Sequence, residues 1–328
     1  MSPSSVLSFL AVMFLCSLIG CGGSGNSNTS STTASGSGLA SGGATSEYVL
    51  LAGTGTNTFG ISTVQRYPVG ANGTVSPTST LSLPSGFAPL SMALDTTGNI
   101  YVGGYYSNST AEILTYPAGA SGSPTPSSIL NVASFPNSLV VSNGNLYCMV
   151  GAPTQGAISV YPITANGLAA PIRSLYQGEF YSVQTSAFVP DKAGDIYFAG
   201  ANTNYTSTSI WEIAASVNGP AYANMNQTFS AGVQAMTLDA DGNLYLSQTS
   251  GQAGQINVYP GLSSTAMRTI NLPTVPESIS LDAADNLYAA YGSSSGLILL
   301  ALSPTSGTTV TDQATASQTG EILAIAVH

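Results

Sequence analysis

Residues 238–248 read Leu238-Asp239-Ala240-Asp241-Gly242-Asn243-Leu244-Tyr245-Leu246-Ser247-Gln248. Two apolar stretches flank a short polar turn, and such an arrangement of alternating and turn-forming residues reads as a β-hairpin. The leading aspartate is placed to accept hydrogen bonds from turn amides, and the glycine supplies the positive φ that closes the turn. Outward from this segment the pattern recurs as LDTTGNIYVGG (94–104), VVSNGNLYCMV (140–150), VPDKAGDIYFAG (189–200) and LDAADNLYAAYG (281–292). In the last copy Asp285 replaces the glycine. Aspartate enters the left-handed region more readily than most residues, so the turn is expected to survive.

The strand tyrosines of these copies are Tyr101, Tyr147, Tyr197, Tyr245 and Tyr288, spaced 46, 50, 48 and 43 residues apart. Tyr48, which lies 53 residues before Tyr101, reads as a sixth and earlier copy. Each copy continues into a third strand: TVQRYP (63–68), AEILTYP (111–117), AISVYP (157–162), SIWEIA (209–214), QINVYP (255–260) and LILLAL (297–302). A Pro/Gly-rich turn and a fourth strand follow. A period of 40–50 residues built only of short strands is the mark of propeller blades. The expected fold is therefore all-β, a six-bladed β-propeller of four-stranded blades over residues 47–328. The first copy lacks the strand that precedes every other tyrosine strand, and the chain ends in Glu321-Ile322-Leu323-Ala324-Ile325-Ala326-Val327 with no partner after it. These two deficits match, so the C-terminal strand is expected to close the ring as the innermost strand of the first blade.

The segments of the type Leu-Asp-x-x-Gly-Asn-Leu-Tyr resemble NHL repeats and the related repeats of the SMP-30/gluconolactonase-like six-bladed propellers. The resemblance covers the chain from residue 47 onward. It implies the propeller architecture and, through the lactonase-like members, a metal held in the central channel by Glu, Asn and Asp side chains.

The N-terminal region is of another kind. Residues 6–15 (VLSFLAVMFL) form an apolar run of ten, too short to span a bilayer and suited to a signal-peptide core. Leu18-Ile19-Gly20-Cys21 follows and resembles the lipobox of bacterial lipoproteins. The resemblance implies a signal peptide over 1–20 and a lipidated (palmitate-bearing) Cys21. The five residues before the apolar run carry no Lys or Arg, which departs from the usual positively charged start. Residues 22–46 carry no charge and one large aliphatic side chain, Leu39. Such a segment cannot bury enough surface to fold, and residues 21–46 are expected to be a disordered tether. Gly22 after the cysteine implies the outer rather than the inner membrane by resemblance to enteric sorting.

Composition removes several functions. Of 328 residues, 4 are Lys or Arg and 14 are Asp or Glu, with a single His. Four basic side chains cannot neutralise a phosphate backbone, so nucleic acid is excluded as a partner. One histidine, at the terminus, excludes a Ser–His–Asp site or a His-rich metal centre inside the fold. Cys148 is expected to be a buried small hydrophobe, because no histidine is available to activate it. The Asp turns offer too few carboxylates each for a calcium cage. The Gly-rich stretch 53–60 lacks the helix and the spacing of a phosphate loop.

Aligning the strand before each Asp turn puts Leu90, Asn137, Ser186, Gln234 and Glu277 at one register, with Glu321 assigned to the same place in the closing strand. These residues are expected to ring one channel mouth, where Glu277 and Glu321 with the Asn137 and Gln234 amides could hold a divalent cation such as calcium. Tyr105, Tyr106, Tyr181 and Tyr205 fall in or near connecting loops and are candidates to stack on a peptide or sugar. The reading is a monomeric cell-envelope lipoprotein that binds a protein, peptide or glycan through propeller loops, with no cofactor required. The alternatives are a metal-dependent hydrolase of the lactonase type and a structural envelope protein.

Overall fold

The computed structural model describes residues 43–52, 61–150, 157–176, 184–201, 207–220, 224–229, 231–250, 253–293, 296–303, 312–316 and 321–328. The first strands are β1 (Ser46–Ala52), β2 (Thr63–Pro68), β3 (Gly73–Val75) and β4 (Ser79–Ser82). The next quartet is β5 (Phe87–Leu94), β6 (Ile100–Tyr106), β7 (Ala111–Tyr116) and β8 (Ser128–Val132). Then come β9 (Pro136–Ser142), β10 (Asn145–Val150), β11 (Ala157–Pro162) and β12 (Arg173–Tyr176). The fourth group is β13 (Gln184–Pro190), β14 (Ile196–Ala201), β15 (Thr208–Ile213), β16 (Gly219–Pro220) and β17 (Asn224–Phe229). The fifth is β18 (Val233–Leu238), β19 (Leu244–Ser250), β20 (Ala253–Tyr259) and β21 (Arg268–Leu272). The last is β22 (Ser278–Leu281), β23 (Leu287–Ser293), β24 (Gly296–Leu302) and β25 (Asp312–Ala316), with β26 (Glu321–Val327) at the end.

These strands form six antiparallel sheets, and β26 is the inner strand of the first, in the order β26-β1-β2-β4. Glu47 pairs with Val327 and Ala52 with Glu321, so the C-terminus zips along the whole of β1. The last rung is held by the His328 carbonyl, which accepts from the Thr45 and Ser46 amides at 2.9 and 3.0 Å. The ring closes as its incomplete first and last copies require.

The core explains why so many strands read as continuous apolar runs rather than as an alternation. Each sheet is covered on both faces by its neighbours, so side chains of both parities are buried. On β1, Tyr48 and Leu50 pack toward the second blade while Val49 and Leu51 pack toward the sixth. Six apolar clusters result, one at each junction between adjacent blades. Cys148 lies fully buried in the junction of the second and third blades, and burial raises its thiol far above the usual range. It is a small core hydrophobe with no chemistry to offer.

The repeated turn works as its residues dictate. Asp282 Oδ1 accepts from the Ala284 and Asn286 amides, each at 2.9 Å, and Oδ2 accepts from the Asn286 side chain at 2.9 Å. The tyrosine six residues on donates its hydroxyl to the same carboxylate, at 2.8 Å for Tyr288 and 3.1 Å for Tyr101 on Asp95. In three of the five turn copies the motif is thus a single hydrogen-bonded unit running from aspartate to tyrosine, whereas Tyr197 donates to Glu212 and the copy of Tyr147 has no aspartate. Gly98 sits at φ 82°, and Asp285 takes the equivalent left-handed position at φ 59°. Because turn amides occupy the aspartate oxygens, these loops build no calcium cage.

Two sheets carry a fifth strand, where four were expected. The added pieces are β3, which pairs parallel with β25, and β16, which pairs parallel with β12. Both belong to the connection between the third and fourth strands of a blade, and both reach back to the outer strand of the blade before. Gly122 and Gly167 do the same through single bridges to Leu81 and Leu130. In three of the four the residue before the glycine is asparagine, whose Oδ1 accepts a main-chain N–H from that outer strand. Asn72 takes Gln313, Asn166 takes Ile129 and Asn218 takes Ser174, at 3.0, 3.2 and 2.9 Å. These straps occupy hydrogen-bonding groups that would otherwise line an open sheet edge.

Candidate functional site

The strand registers fix two ends of the channel. At one end lie the Asp turns, the straps, Ser46 and His328; we call it the turn face. At the other, the loop face, lie the links between blades and the loops between second and third strands.

The inner strands enter from the loop face, and five of the six are broken there by a β-bulge. Pro89 pairs with Gly104 and Ser91 with Gly103, which leaves Leu90 as the extra residue. The same count leaves Asn137, Ser186 and Gln234 unpaired on β9, β13 and β18. Glu277 precedes the Ser278–Ala290 pair, and its amide donates to the Ala290 carbonyl at 3.0 Å. On β26 the shift falls between Ala324 and Ile322, so the extra residue there is Leu323. Glu321 was assigned to that place from the sequence; it lies two residues nearer the rim. A bulge re-aims its side chain out of the sheet plane. Here five of these residues, Ser186 aside, line the channel.

Local sequence accounts for these positions. Pro89, Pro136 and Pro276 immediately precede three of them, and proline fits where the ladder is interrupted because it has no N–H to lose. Serines stitch neighbouring blades at the same level, two from inner strands and Ser247 from β19. Ser91 donates to the Pro136 carbonyl at 2.6 Å, Ser247 donates to the Pro276 carbonyl at 2.7 Å, and Ser278 Oγ accepts from the Ile325 amide at 3.1 Å.

The channel encloses a cavity of about 360 Å³, within the size range of small-ligand sites. Its mouth is two-sided. The third, fifth and sixth blades contribute Asn137, Gln234 and Glu277, while the first and second contribute Leu323 and Leu90. Beside the apolar arc, Tyr105 packs on Phe135 with ring centroids 4.5 Å apart, and Tyr106 meets the edge of Phe87 at 5.3 Å. Tyr181, Tyr205, Cys21 and the stretch 53–60 lie outside the described residues. Phe135 and Leu323 were not singled out from the sequence, although counting back three residues from each tyrosine's partner on the inner strand identifies Leu323.

The cations all lie at one end, beside the carboxylates of the Asp turns. Arg66, Arg173, Lys192 and Arg268 are all of the basic residues, and all four sit on the turn-face half. The described charged residues of the loop face are Glu112, Glu277 and Glu321. Burial pushes the Glu277 carboxyl above its ordinary range; the Gly292 N–H pulls it down and the neighbouring Glu321 raises it further. Burial raises Glu321 and Glu112 as well. Among the described residues no three His, Cys, Asp or Glu side chains come together as a metal-binding group.

No protein-family model matches the chain. No curated protein is similar to it in sequence. Several solved structures share its fold. A chain from the crystal structure of a nidogen/laminin complex superposes with TM-score 0.60 at 11% identity, covering 86% of this chain and 98% of that one. A protein of unknown function from Bacteroides caccae gives 0.56 at 11% identity, with coverages of 85% and 98%. A putative 6-phosphogluconolactonase from Bacteroides fragilis NCTC 9343 gives 0.52 at 13% identity and 82% of each chain. Likeness at such identity shows the six-bladed propeller fold alone.

Proposed function

We propose that the chain is an extracytoplasmic, lipid-anchored recognition scaffold whose loop face binds a neutral or positively charged protein, peptide or glycan. The observation that carries this reading is that every cation lies at the end opposite the channel mouth. The loop face gathers the aromatic pairs, the amide arc and every carboxylate of the channel mouth, while all four basic groups lie at the other end. A mouth with negative charge and no cation repels anions and draws cations. The chain enters the propeller at Ser46 on the turn face. The expected tether over 21–46 is shorter at its end, since Ser46 opens β1 and the Ala44 and Thr45 amides are bonded to the ring, and it leaves from the end opposite the mouth. With about 25 flexible residues it reaches roughly 25–30 Å, and the loop face stays clear of the attachment point. Straps over the outer edges support a monomer.

The first test is of the anchor. Cys21→Ser is expected to move the protein from the membrane to the soluble fraction, or to leave it unprocessed. A mutant that stays membrane-bound and is processed like the wild type would refute the lipoprotein reading. The recognition site is tested with peptide and glycan arrays probed by residues 43–328 and by the Asn137→Ala/Gln234→Ala double variant. Ligands bound by the first and lost by the second support the mouth as the site.

A second reading, a metal-dependent hydrolase of the lactonase type, is favoured by the pairing of Glu277 with Glu321. Set against it are Leu90 and Leu323 in the ring. The lack of a cation at the mouth also argues against a phosphorylated substrate of the kind that the name of the Bacteroides fragilis protein implies. If this reading holds, calcium or another divalent ion raises the melting temperature of the wild type, and Glu277→Gln/Glu321→Gln abolishes the rise. A ligand that binds only the native state must stabilise it, so a wild type unmoved by divalent ions would eliminate the hydrolase.

A further inference from the structure

One buried charge-bearing residue has no place in the site just described. Glu47 is 4% exposed, and its Oε1 has no hydrogen-bond partner. Its cross-strand partners are Tyr67 and Val327. The equivalent residue in the other five blades is Ile100, Leu146, Ile196, Leu244 or Leu287, each essentially inaccessible to water. Glu47 shares the β1 face of Val49 and Leu51, which packs into the junction of the first and sixth blades. That junction is the seam where β26 joins the two ends of the chain.

The polar groups around it are already engaged with others. Tyr67 of β2 donates to Gln65. From the sixth blade, the Asp282 carboxylate accepts from Tyr288, Asn286 and the Ala44 amide. The His328 carbonyl on β26 takes two main-chain amides. Arg66, the one basic residue of the first blade, bonds to Ser46 Oγ and lies over the Tyr48 ring, on the opposite side of the sheet. No cation faces Glu47.

We propose that Glu47 is a proton-operated latch on the ring seam: the neutral carboxyl lets β26 stay zipped to β1, and loss of that proton loosens this junction before any other. Burial pushes the carboxyl up from 4.5 to about 8, so the folded protein holds the proton at neutral pH while the unfolded chain does not. The folded state then binds more protons than the unfolded state. Its stability is complete below about pH 4.5 and is lost as pH rises through about 8. Each pH unit within that window lowers the folding equilibrium by up to about tenfold.

The test compares melting temperature against pH for the wild type, Glu47→Gln and Glu47→Leu, the leucine restoring what other blades carry. Other carboxylates titrate alike in all three proteins, so the difference between the curves isolates Glu47. The wild type is expected to fall away from both variants between pH 5 and 8 and to approach them near pH 4.5. Hydrogen exchange at pH 6 and 9, corrected for intrinsic rates, locates the effect. Residues 46–52 and 321–327 should lose at least about tenfold in protection while the other inner strands keep theirs. Parallel curves for wild type and variants, or protection lost evenly around the ring, would overturn the proposal.

Discussion

Deleting residues 321–328 is expected to abolish cooperative folding of the entire ring, although chain termini are ordinarily expendable. The deletion removes Ile322 and Ile325, both buried at the seam, together with Ala324 and Ala326. It also uncovers Val49, Leu50 and Leu51 on β1. Burying each large apolar side chain contributes about 1.5–3 kcal/mol. Five such residues approach the whole net stability of a typical domain, about 5–15 kcal/mol. Thermal unfolding followed by near-UV circular dichroism should show no native-like transition in the truncated protein. A synthetic peptide of residues 321–328 added in trans should restore part of it, because the rungs it offers are intact. A truncated protein that melts with the full one would mean that the seam bears no weight in the fold.

Asp282→Ala is expected to be the most damaging single substitution on the turn face, costing about 2–4 kcal/mol. Its carboxylate accepts five hydrogen bonds, from Ala284, Asn286 twice, Tyr288 and Ala44. Removing it takes the 2.8 Å acceptor from the Tyr288 hydroxyl, on a fully buried residue, and releases Ala44, through which the chain enters the ring. Asp282→Asn keeps the shape but lacks the charge, and should fall between alanine and wild type. Although burial raises the Asp282 carboxyl, the bonds from Asn286, Ala44 and Tyr288 outweigh it and hold the group below its usual value. Its contribution is therefore present above the unfolded value near 3.8 and lost as pH falls through the lower, folded value. Wild type and Asp282→Ala should accordingly converge in strong acid. Equal melting temperatures at pH 6 would show that the five bonds are replaced by water at no cost. With Glu47 acting in the opposite sense, the protein should be most stable in mildly acidic solution.

Much of this architecture was legible in the sequence because local chemistry sets it. At Asp95, Asp239 and Asp282 the aspartate and tyrosine act on one another within six residues, so their pattern exposes both the turn and the blade period. Ring closure was legible too, since a missing strand at one end and a spare strand at the other admit one pairing. The mouth was less so. Leu90, Asn137, Ser186, Gln234 and Glu277 were placed by counting back from an Asp turn, but the closing strand has no such turn. Counted from the tyrosine side instead, through the Ala326–Tyr48 pair, Leu323 takes the sixth position. The mouth itself had a signal in Pro89-Leu90-Ser91, Pro136-Asn137-Ser138 and Pro276-Glu277-Ser278, where proline forgoes a ladder bond and Ser91 and Ser278 bind the neighbouring blade. The meaning of Glu47 depends on a partner strand about 280 residues away, which no local pattern announces.

The backward-reaching connections at Asn72, Gly122, Asn166 and Asn218 bear on how a ring of this kind can change in size over evolutionary time. Four of the six blades are finished by a piece of the next, so a cut between two such sheets leaves a bare outer edge on one side and an idle strap on the other. Gain or loss of genetic material is then tolerated only in whole periods, near the 48-residue average from Tyr48 to Tyr288. An inserted copy would bring its own strap for the blade behind it and receive one from the blade ahead. A partial copy would leave an unpaired edge exposed to other chains, and selection against aggregation would remove it.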